Sequence, residues 1–253
     1  MSPNSTRHAG RTALVTGSTG GLGVAIASTL AAEGAFVVVS GRDKVRGDAV
    51  VADIRSAGGQ AAFVGVDLGA GGAEVRRFAE RAVDAAGPID ILVNNAALLM
   101  MPEPTAEVSD ELLRDAFGIN VVAPFQLTGL VAPAMAARGH GAVVNIGSIT
   151  GLRGSDGSAL YSANKAAIHS FTQSWAAEYG PSGVRVNAVA PGPIATERQQ
   201  QFADHVGPLL ARIPSRRMST PAEVAAAVSY LASDDAGNIH GAILSVDGGW
   251  AAV

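Results

Sequence analysis

The 253-residue chain has no cysteine, which excludes a disulfide framework, a thiol nucleophile and a thiolate metal site. Charge is scarce too. Charged residues are 16% of the chain and hydrophobic ones 48%, a balance that disfavours general disorder. The formal net charge is −4 and there is no basic block, so nucleic acid is not an expected partner. The five histidines, His8, His140, His169, His205 and His240, are scattered without ligand spacing, and no metal is expected. No apolar run reaches the ~18 residues that a membrane span needs. The first ten residues are polar and lack the apolar core of a signal peptide. The chain therefore reads as soluble and cytoplasmic, with no membrane partner.

The scarcest cation is informative. Of 18 basic residues only Lys44 and Lys165 are lysines, and there are three tyrosines. One of each stands in Tyr161-Ser162-Ala163-Asn164-Lys165. On a helix this spacing puts both side chains on one face, a turn apart. An ammonium beside a phenol favours the phenolate, so the Tyr161 pKa is expected to fall from its usual ~10 towards working pH. Such a phenol can give a proton to a carbonyl oxygen or take one from an alcohol. A chain this rich in arginine had arginine available for a mere surface charge; lysine points to a compact, tunable ammonium. Ser148 ends the apolar run Ala142–Ile146, and its hydroxyl could hold the same substrate oxygen.

Along the chain, residues 1–10 read as a flexible tail and 11–253 as one domain that includes the substrate pocket. Thr12–Thr16 is a buried-type strand. It runs into the glycine-rich stretch Gly17–Gly23 and then a helical pattern over Val24–Glu33. Strand, glycine-rich turn and helix form a phosphate cradle, because amides at the helix start face an anion and missing Cβ atoms let it approach. A second strand, Phe36–Val39, completes a βαβ unit. The alternation continues with strands at 61–66, 89–93, 142–146, 184–189 and 243–246, and helices at 43–57, 73–86, 109–137, 159–179 and 220–232. Pro124 and Gly129 should bend the helix that starts near Ser109. A further helical segment is expected over about 195–212. The pattern predicts an α/β fold: a single doubly wound parallel sheet of Rossmann type, about seven strands with helices on both faces. Ligands of such sheets bind beyond the C-terminal strand ends. Those ends carry the Gly loop, Ser40-Gly41-Arg42, Asp67, Asn94-Asn95, Ser148 and Pro191-Gly192.

With these pieces assembled, the chain resembles the short-chain dehydrogenase/reductase family over nearly its whole length. The matching residues are Thr16-Gly17, Gly21, Gly23, Asn94-Asn95-Ala96, Asn120, Ser148, Tyr161, Lys165 and Pro191-Gly192. The stretch from Arg217-Met218 through Asp247-Gly248-Gly249 is similar to the family's 3-oxoacyl-carrier-protein reductase and gluconate dehydrogenase branches. The resemblance implies that Tyr161 is the general acid/base, and that Lys165 lowers its pKa and binds the nicotinamide ribose. It also implies that Ser148 orients the substrate oxygen and that Asn120 holds a water in a proton relay. Gly17, Ser18, Thr19, Gly21 and Leu22 would surround the diphosphate. Asp67 and Leu68 would meet the adenine, Asn95 and Ala96 the adenosine ribose, and Ile194 and Thr196 the carboxamide. Asn94 would be structural. Ala97 and Gly147 depart from the family's usual glycine and serine, and Ser182 stands where carrier-protein reductases often have a basic residue.

The expected cofactor is NADP(H) in preference to NAD(H). The family's acidic ribose position is Gly41, which cannot repel a 2′-phosphate, while Arg42 and Ser40 beside it could bind one. The Gly loop lacks a second basic residue, so the preference should be moderate. The expected reaction is hydride transfer between this cofactor and a small-molecule ketone or secondary alcohol, of 3-oxoacyl or small-ketone type. A polyol or sugar-acid dehydrogenase using NAD(P) is the alternative, and a non-catalytic redox sensor a remoter one. Leu98–Pro102 and the segment around Arg198–Phe202 should wall the pocket, with Arg153 and Asp156 near its mouth. The helices at 109–137 and 159–179 carry apolar residues on more than one face, including Phe125, Phe171 and Trp175, so one side should pack on the sheet and the other on a partner helix; with the family resemblance this implies a homotetramer.

Overall fold

Seven short β-branched segments, bounded by glycines and polar residues, pair into one parallel sheet. The computed structural model describes residues 6–197, 207 and 210–253. The strands are β1 (Thr12–Val15), β2 (Phe36–Gly41), β3 (Gln60–Gly65), β4 (Ile91–Asn94), β5 (Gly141–Ile146), β6 (Val184–Pro191) and β7 (Ile243–Val246). Their order is β3-β2-β1-β4-β5-β6-β7, with every neighbouring pair parallel. The chain winds outward from β1 to β3, then returns to lay β4 beside β1. The two halves diverge at that switch point, opening a crevice above the C-terminal ends of β1 and β4.

Strands buried on both faces need helices on both faces, and the connections supply them. Helices α1 (Gly21–Ala32) and α2 (Lys44–Ser56) cover one side with Ile26, Leu30, Val50 and Ile54. The same side receives the last long helix, through Val224, Val228 and Leu231. On the other side lie α3 (Gly72–Ala86), α4 (Asp110–Phe117), α5 (Ala123–Arg138) and α6 (Ala159–Tyr179). Phe78, Leu127, Val131, Met135 and Trp175 form the core there. The last long helix, α7 (Pro221–Ala232), starts at the capping box that Thr220 and Glu223 predict.

Three expectations change. The irregularity of the 109–137 helix is not at Gly129 but in a π-helical turn at Gly118–Val122 that joins α4 to α5. Pro124 has no amide hydrogen, so the Asn120 carbonyl loses its α-helical donor, and a wider turn accommodates the loss. By length and composition the stretch Asp110–Arg138 could cross a membrane. Here it is interrupted by that turn and lies against the sheet. Second, residues 6–10 are not a loose tail. His8 is buried, shares a 3.0 Å hydrogen bond with Ser229 Oγ, and donates its amide to Glu33 O. Third, α1 begins at Gly21, ahead of the apolar periodicity, because the Gly loop itself forms its first turn. The helix expected over 195–212 falls mostly outside the described residues.

Candidate active site

Tyr161 and Lys165 sit in the first two turns of α6, facing the end of β5. Lys165 is 3% exposed, and its Nζ donates to Ile146 O at 2.8 Å. The same Nζ lies over the Tyr161 ring, 5.7 Å from its centroid. Ser148, two residues beyond Ile146, lies beside the Tyr161 phenol and opposes its upward pKa shift. The Ser148 hydroxyl also accepts from Thr150 N at 3.2 Å and Thr150 Oγ1 at 3.0 Å, which fixes its rotamer. The strand end and the helix start thus bring together the three residues singled out in the sequence.

The electrostatics differ from expectation. Burial pushes the Tyr161 phenol up to about 12, and Ser148 only partly opposes this. The ammonium does not lower it, because it sits above the ring and is held by the Ile146 carbonyl rather than by the phenol oxygen. Burial acts on Lys165 as well and lowers its pKa to about 8. In this state the phenol holds its proton firmly at neutral pH and is set to donate it.

Asn120 lies in the π turn, 2% exposed. Its side chain does not bond to its own helix. Oδ1 accepts from Leu98 N at 2.7 Å, and Nδ2 donates to Leu98 O at 3.1 Å. Both ends of the amide are therefore committed to fixing the 98–102 wall. A water held by Asn120 would have to use its main-chain carbonyl, the one that Pro124 leaves without an α-helical donor. The wall continues through Met100 and Met101, which with Val108, Leu112, Leu160 and Tyr161 line a small cavity of about 40 Å3. Arg153 donates to Trp250 O at 2.6 Å and Val253 O at 2.7 Å, tying the pocket mouth to the last turn. Asp156 is exposed, and Arg198–Phe202 fall outside the described residues.

The Gly loop follows β1 at the crevice. Gly17 has φ 63, and a Cβ there would lie 2.8 Å from Ala96 Cα. Gly20, before the first turn of α1, offers no side-chain cap, and a Cβ there would meet nothing within 4 Å. The amides of Gly21 and Leu22 thus face open space, a cradle that fits a diphosphate. Ile194 and Thr196 approach from the far side: a Cβ on Gly21 would lie 3.7 Å from the Thr196 methyl. Pro191 ends β6, and Gly192 lets the Asp247 backbone come close.

Several side chains in the expected cofactor set turn inward instead. Ser18 Oγ donates to Val15 O at 2.8 Å and accepts from Ser40 N at 2.9 Å. Ser40 is fully buried and donates to Val15 O at 3.0 Å. Neither hydroxyl can reach a phosphate; both brace the strand ends. Asn95 Nδ2 donates to Thr16 O at 2.8 Å and Gly17 O at 3.1 Å, so it holds the Gly loop from below. The Ala96 amide donates to Thr16 Oγ1. Thr19 lies over Gly41, where a Cβ would be 2.7 Å from Thr19 Oγ1. Asp67 is exposed beyond β3 and accepts from Gly69 N, with Leu68 half-buried beside it. Arg42 is exposed, and among the described residues no hydrogen bond or ion pair holds its guanidinium.

A Rossmann-type sheet, an open phosphate cradle and a Ser–Tyr–Lys cluster at one sheet edge agree with what known proteins show. The sequence model of the family described as short chain dehydrogenase matches residues 11–207. The chain belongs to the short-chain dehydrogenase/reductase family. It is thus an NAD(P)-dependent oxidoreductase. It is 38% identical over 246 residues to a cyclopentanol dehydrogenase of Comamonas sp. (strain NCIMB 9872), covering 94% of this chain and 96% of the relative. It is 37% identical over 245 residues to the 3-oxoacyl-(acyl-carrier-protein) reductase FabG of Escherichia coli (strain K12), covering 95% and 97%. A Beutenbergia cavernae structure, provisionally assigned as an NAD(P)-dependent gluconate 5-dehydrogenase and solved with NADP at low occupancy, superposes with a TM-score of 0.93. It is 36% identical, with 98% and 99% of the two chains covered.

Other supporting residues escaped the sequence reading. Asn94 Nδ2, expected to be structural, donates to Asn145 Oδ1 at 2.8 Å and Thr128 Oγ1 at 3.1 Å. Asn145 Nδ2 donates in turn to Thr172 Oγ1 at 2.8 Å. This buried relay clamps β4 and β5 to α5 and α6 beneath the reacting groups. A lone asparagine inside the apolar run 142–146 was its signal.

Proposed function

We propose that this dehydrogenase moves a hydride between NADP(H) and a small ketone or its secondary alcohol, with Tyr161 as the proton donor and acceptor. The observation that carries the reading is the placing of Ser148 beside the Tyr161 phenol, with a buried Lys165 over the ring. A substrate carbonyl oxygen seated between the Ser148 and Tyr161 hydroxyls would take two hydrogen bonds and become more electrophilic. The hydride comes from NADPH when it is bound. As the carbonyl oxygen gains charge, Tyr161 transfers its proton to it, and a Lys165 ammonium that moves from the Ile146 carbonyl to the phenol oxygen would stabilise the phenolate left behind. Lys165 would also bind the nicotinamide ribose.

Gly17, Thr19, Gly21 and Leu22 would hold the diphosphate through main-chain contacts. The Asp67-Leu68 turn would border the adenine, Ala96 the adenosine ribose, and Pro191-Gly192, Ile194 and Thr196 the carboxamide end. NADP rather than NAD is supported by the unpaired Arg42 and by the absence of an acid at Gly41. The apolar wall of Met100, Met101, Val108 and Leu112 supports an apolar ketone over a polyol, in keeping with the cyclopentanol dehydrogenase relative. Phe125, 53% exposed and stacked on Phe171 with a centroid separation of 5.2 Å, supports burial of this helix face by other copies in a cytoplasmic homotetramer. The test is a panel of cyclic and linear ketones, 3-oxoacyl thioesters and polyols assayed with each cofactor, alongside Tyr161→Phe. Activity confined to polyols with NAD, or near-normal turnover of Tyr161→Phe, would sink the reading. A monomer in sedimentation at micromolar concentration would refute the assembly.

A further inference from the structure

His169 follows Lys165 by one turn on α6 and is 5% exposed. Among the described residues neither ring nitrogen has a partner at hydrogen-bond geometry, and the Gly151 backbone makes only a weak polar contact with the ring. Burial pushes its pKa down to about 4, with the Gly151 backbone opposing and Lys165 assisting, so the ring is neutral. An unpaired donor and acceptor in an interior are costly, and a purely apolar side chain would avoid that cost. The ring is instead matched to its surroundings. A Cβ on Gly147 would collide with His169 Nε2 and lie 2.7 Å from Cδ2. At Gly151 the turn lies directly on the helix: a Cβ there would lie 2.8 Å from His169 Cε1, 2.8 Å from the Lys165 carbonyl carbon and 2.9 Å from Ala166 N. Neither glycine has a positive φ, so the backbone does not demand glycine at either place. The demand is for room.

These two glycines flank the turn that presents Ser148. Gly147 also follows Ile146, whose carbonyl anchors Lys165. The imidazole is wedged between that turn and the helix carrying Tyr161 and Lys165. We propose that His169 is a positioning residue, its ring occupying the space of the missing side chain at 147 and thereby setting the distance between Ser148 and the Tyr161–Lys165 pair. The proposal rests on the reading of those three residues as the reacting set.

The test is a cycle of His169→Ala, Gly147→Ser and the double variant, with Tm, NADPH Kd by fluorescence, and kcat and KM measured for each. His169→Ala should lower kcat at least tenfold with the NADPH Kd changed less than threefold. Gly147→Ser alone should lower both Tm and kcat. In the His169→Ala background the same serine should be tolerated, with a coupling of tenfold or more in kcat, about 1.4 kcal/mol. If Gly147→Ser does not fold, folding of the double variant supports the proposal and its failure to fold overturns it. Additive effects, or a His169→Ala enzyme that loses Tm but keeps its kcat, would also overturn it. Coupling in Tm is read without substrate, so it survives a failure of the chemical reading, which Tyr161→Phe tests separately.

Discussion

The two edges of the sheet treat charge in opposite ways. At the N-terminal edge nearly every ion has a partner. Glu33 accepts from Ser229 and Arg7, Arg11 pairs with Asp234, and Arg138 pairs with Asp90. Arg185, buried, donates to the carbonyls of Leu231, Ser233 and Ala236. At the C-terminal edge, among the described residues, Arg42 is unpaired, α1 starts without a side-chain cap, and Lys165 has a carbonyl and the Tyr161 ring but no counter-ion. Groups satisfied within the chain hold the fold; groups left open await a ligand. One edge is therefore read as structure and the other as chemistry, although the N-terminal edge has the more polar cavity, ringed by Arg7, Arg11, His140 and Arg185.

Substitutions at the two edges should separate stability from turnover. Tyr161→Phe should lower kcat by about 10²–10⁴ with Tm nearly unchanged, because the proton donor goes and the packed ring stays. Lys165→Met should be comparably inactive and yet more stable, by about 1–2 kcal/mol, since a buried ammonium is removed at the loss of one hydrogen bond. Calorimetry and steady-state rates on the same samples check both. Glu33→Ala should do the reverse. It leaves Ser229 and His8 short of a partner, at about 2 kcal/mol or a Tm loss of about 4–8 °C. Its kcat at 25 °C should stay within twofold. Equal activity losses at both edges would break the comparison.

Smaller effects sharpen it. Arg42→Ala should raise KM for NADP about tenfold and leave NAD unchanged, the size expected for one charge-assisted phosphate contact. Gly41→Asp should shift preference towards NAD by less, because the new side chain must first displace Thr19. Lys165 supplies the pH dependence. Its folded pKa lies below its unfolded value, so its burial cost is full below pH 8 and is relieved as pH rises towards 10.5. This group therefore adds stability over that window, while the reduction rate should fall as the ammonium deprotonates. Tm and kcat profiles between pH 6.5 and 9.5 should run in opposite directions, and Lys165→Met should flatten its contribution to the first.

Most of the frame was legible because parallel strands buried on both faces read as continuous Val/Ile/Leu/Ala runs, and glycines mark where they end. Tyr161, Lys165 and Ser148 were legible from spacing and from the rarity of lysine. Side-chain direction was not. Ser18 and Ser40 look like phosphate ligands in sequence, but Val15 O, on the neighbouring strand end, draws both inward. His8 looks like tail because its partners, Glu33 and Ser229, are far along the chain. The direction of the Tyr161 shift was misread for a related reason: i,i+4 spacing brings the ammonium near the ring, but the Ile146 carbonyl decides where it rests. Pro124 did signal an irregular helix, with the disturbance one turn upstream, where its missing donor is felt.

Hydrogen–deuterium exchange with and without saturating NADP tests the contrast between the edges most directly. The account predicts protection of the amides at 17–23, 94–96 and 191–196, and no change at 7–11, 140–142 and 231–236. Protection at the second set, or a Gly loop that exchanges equally fast with and without the nucleotide, would contradict it.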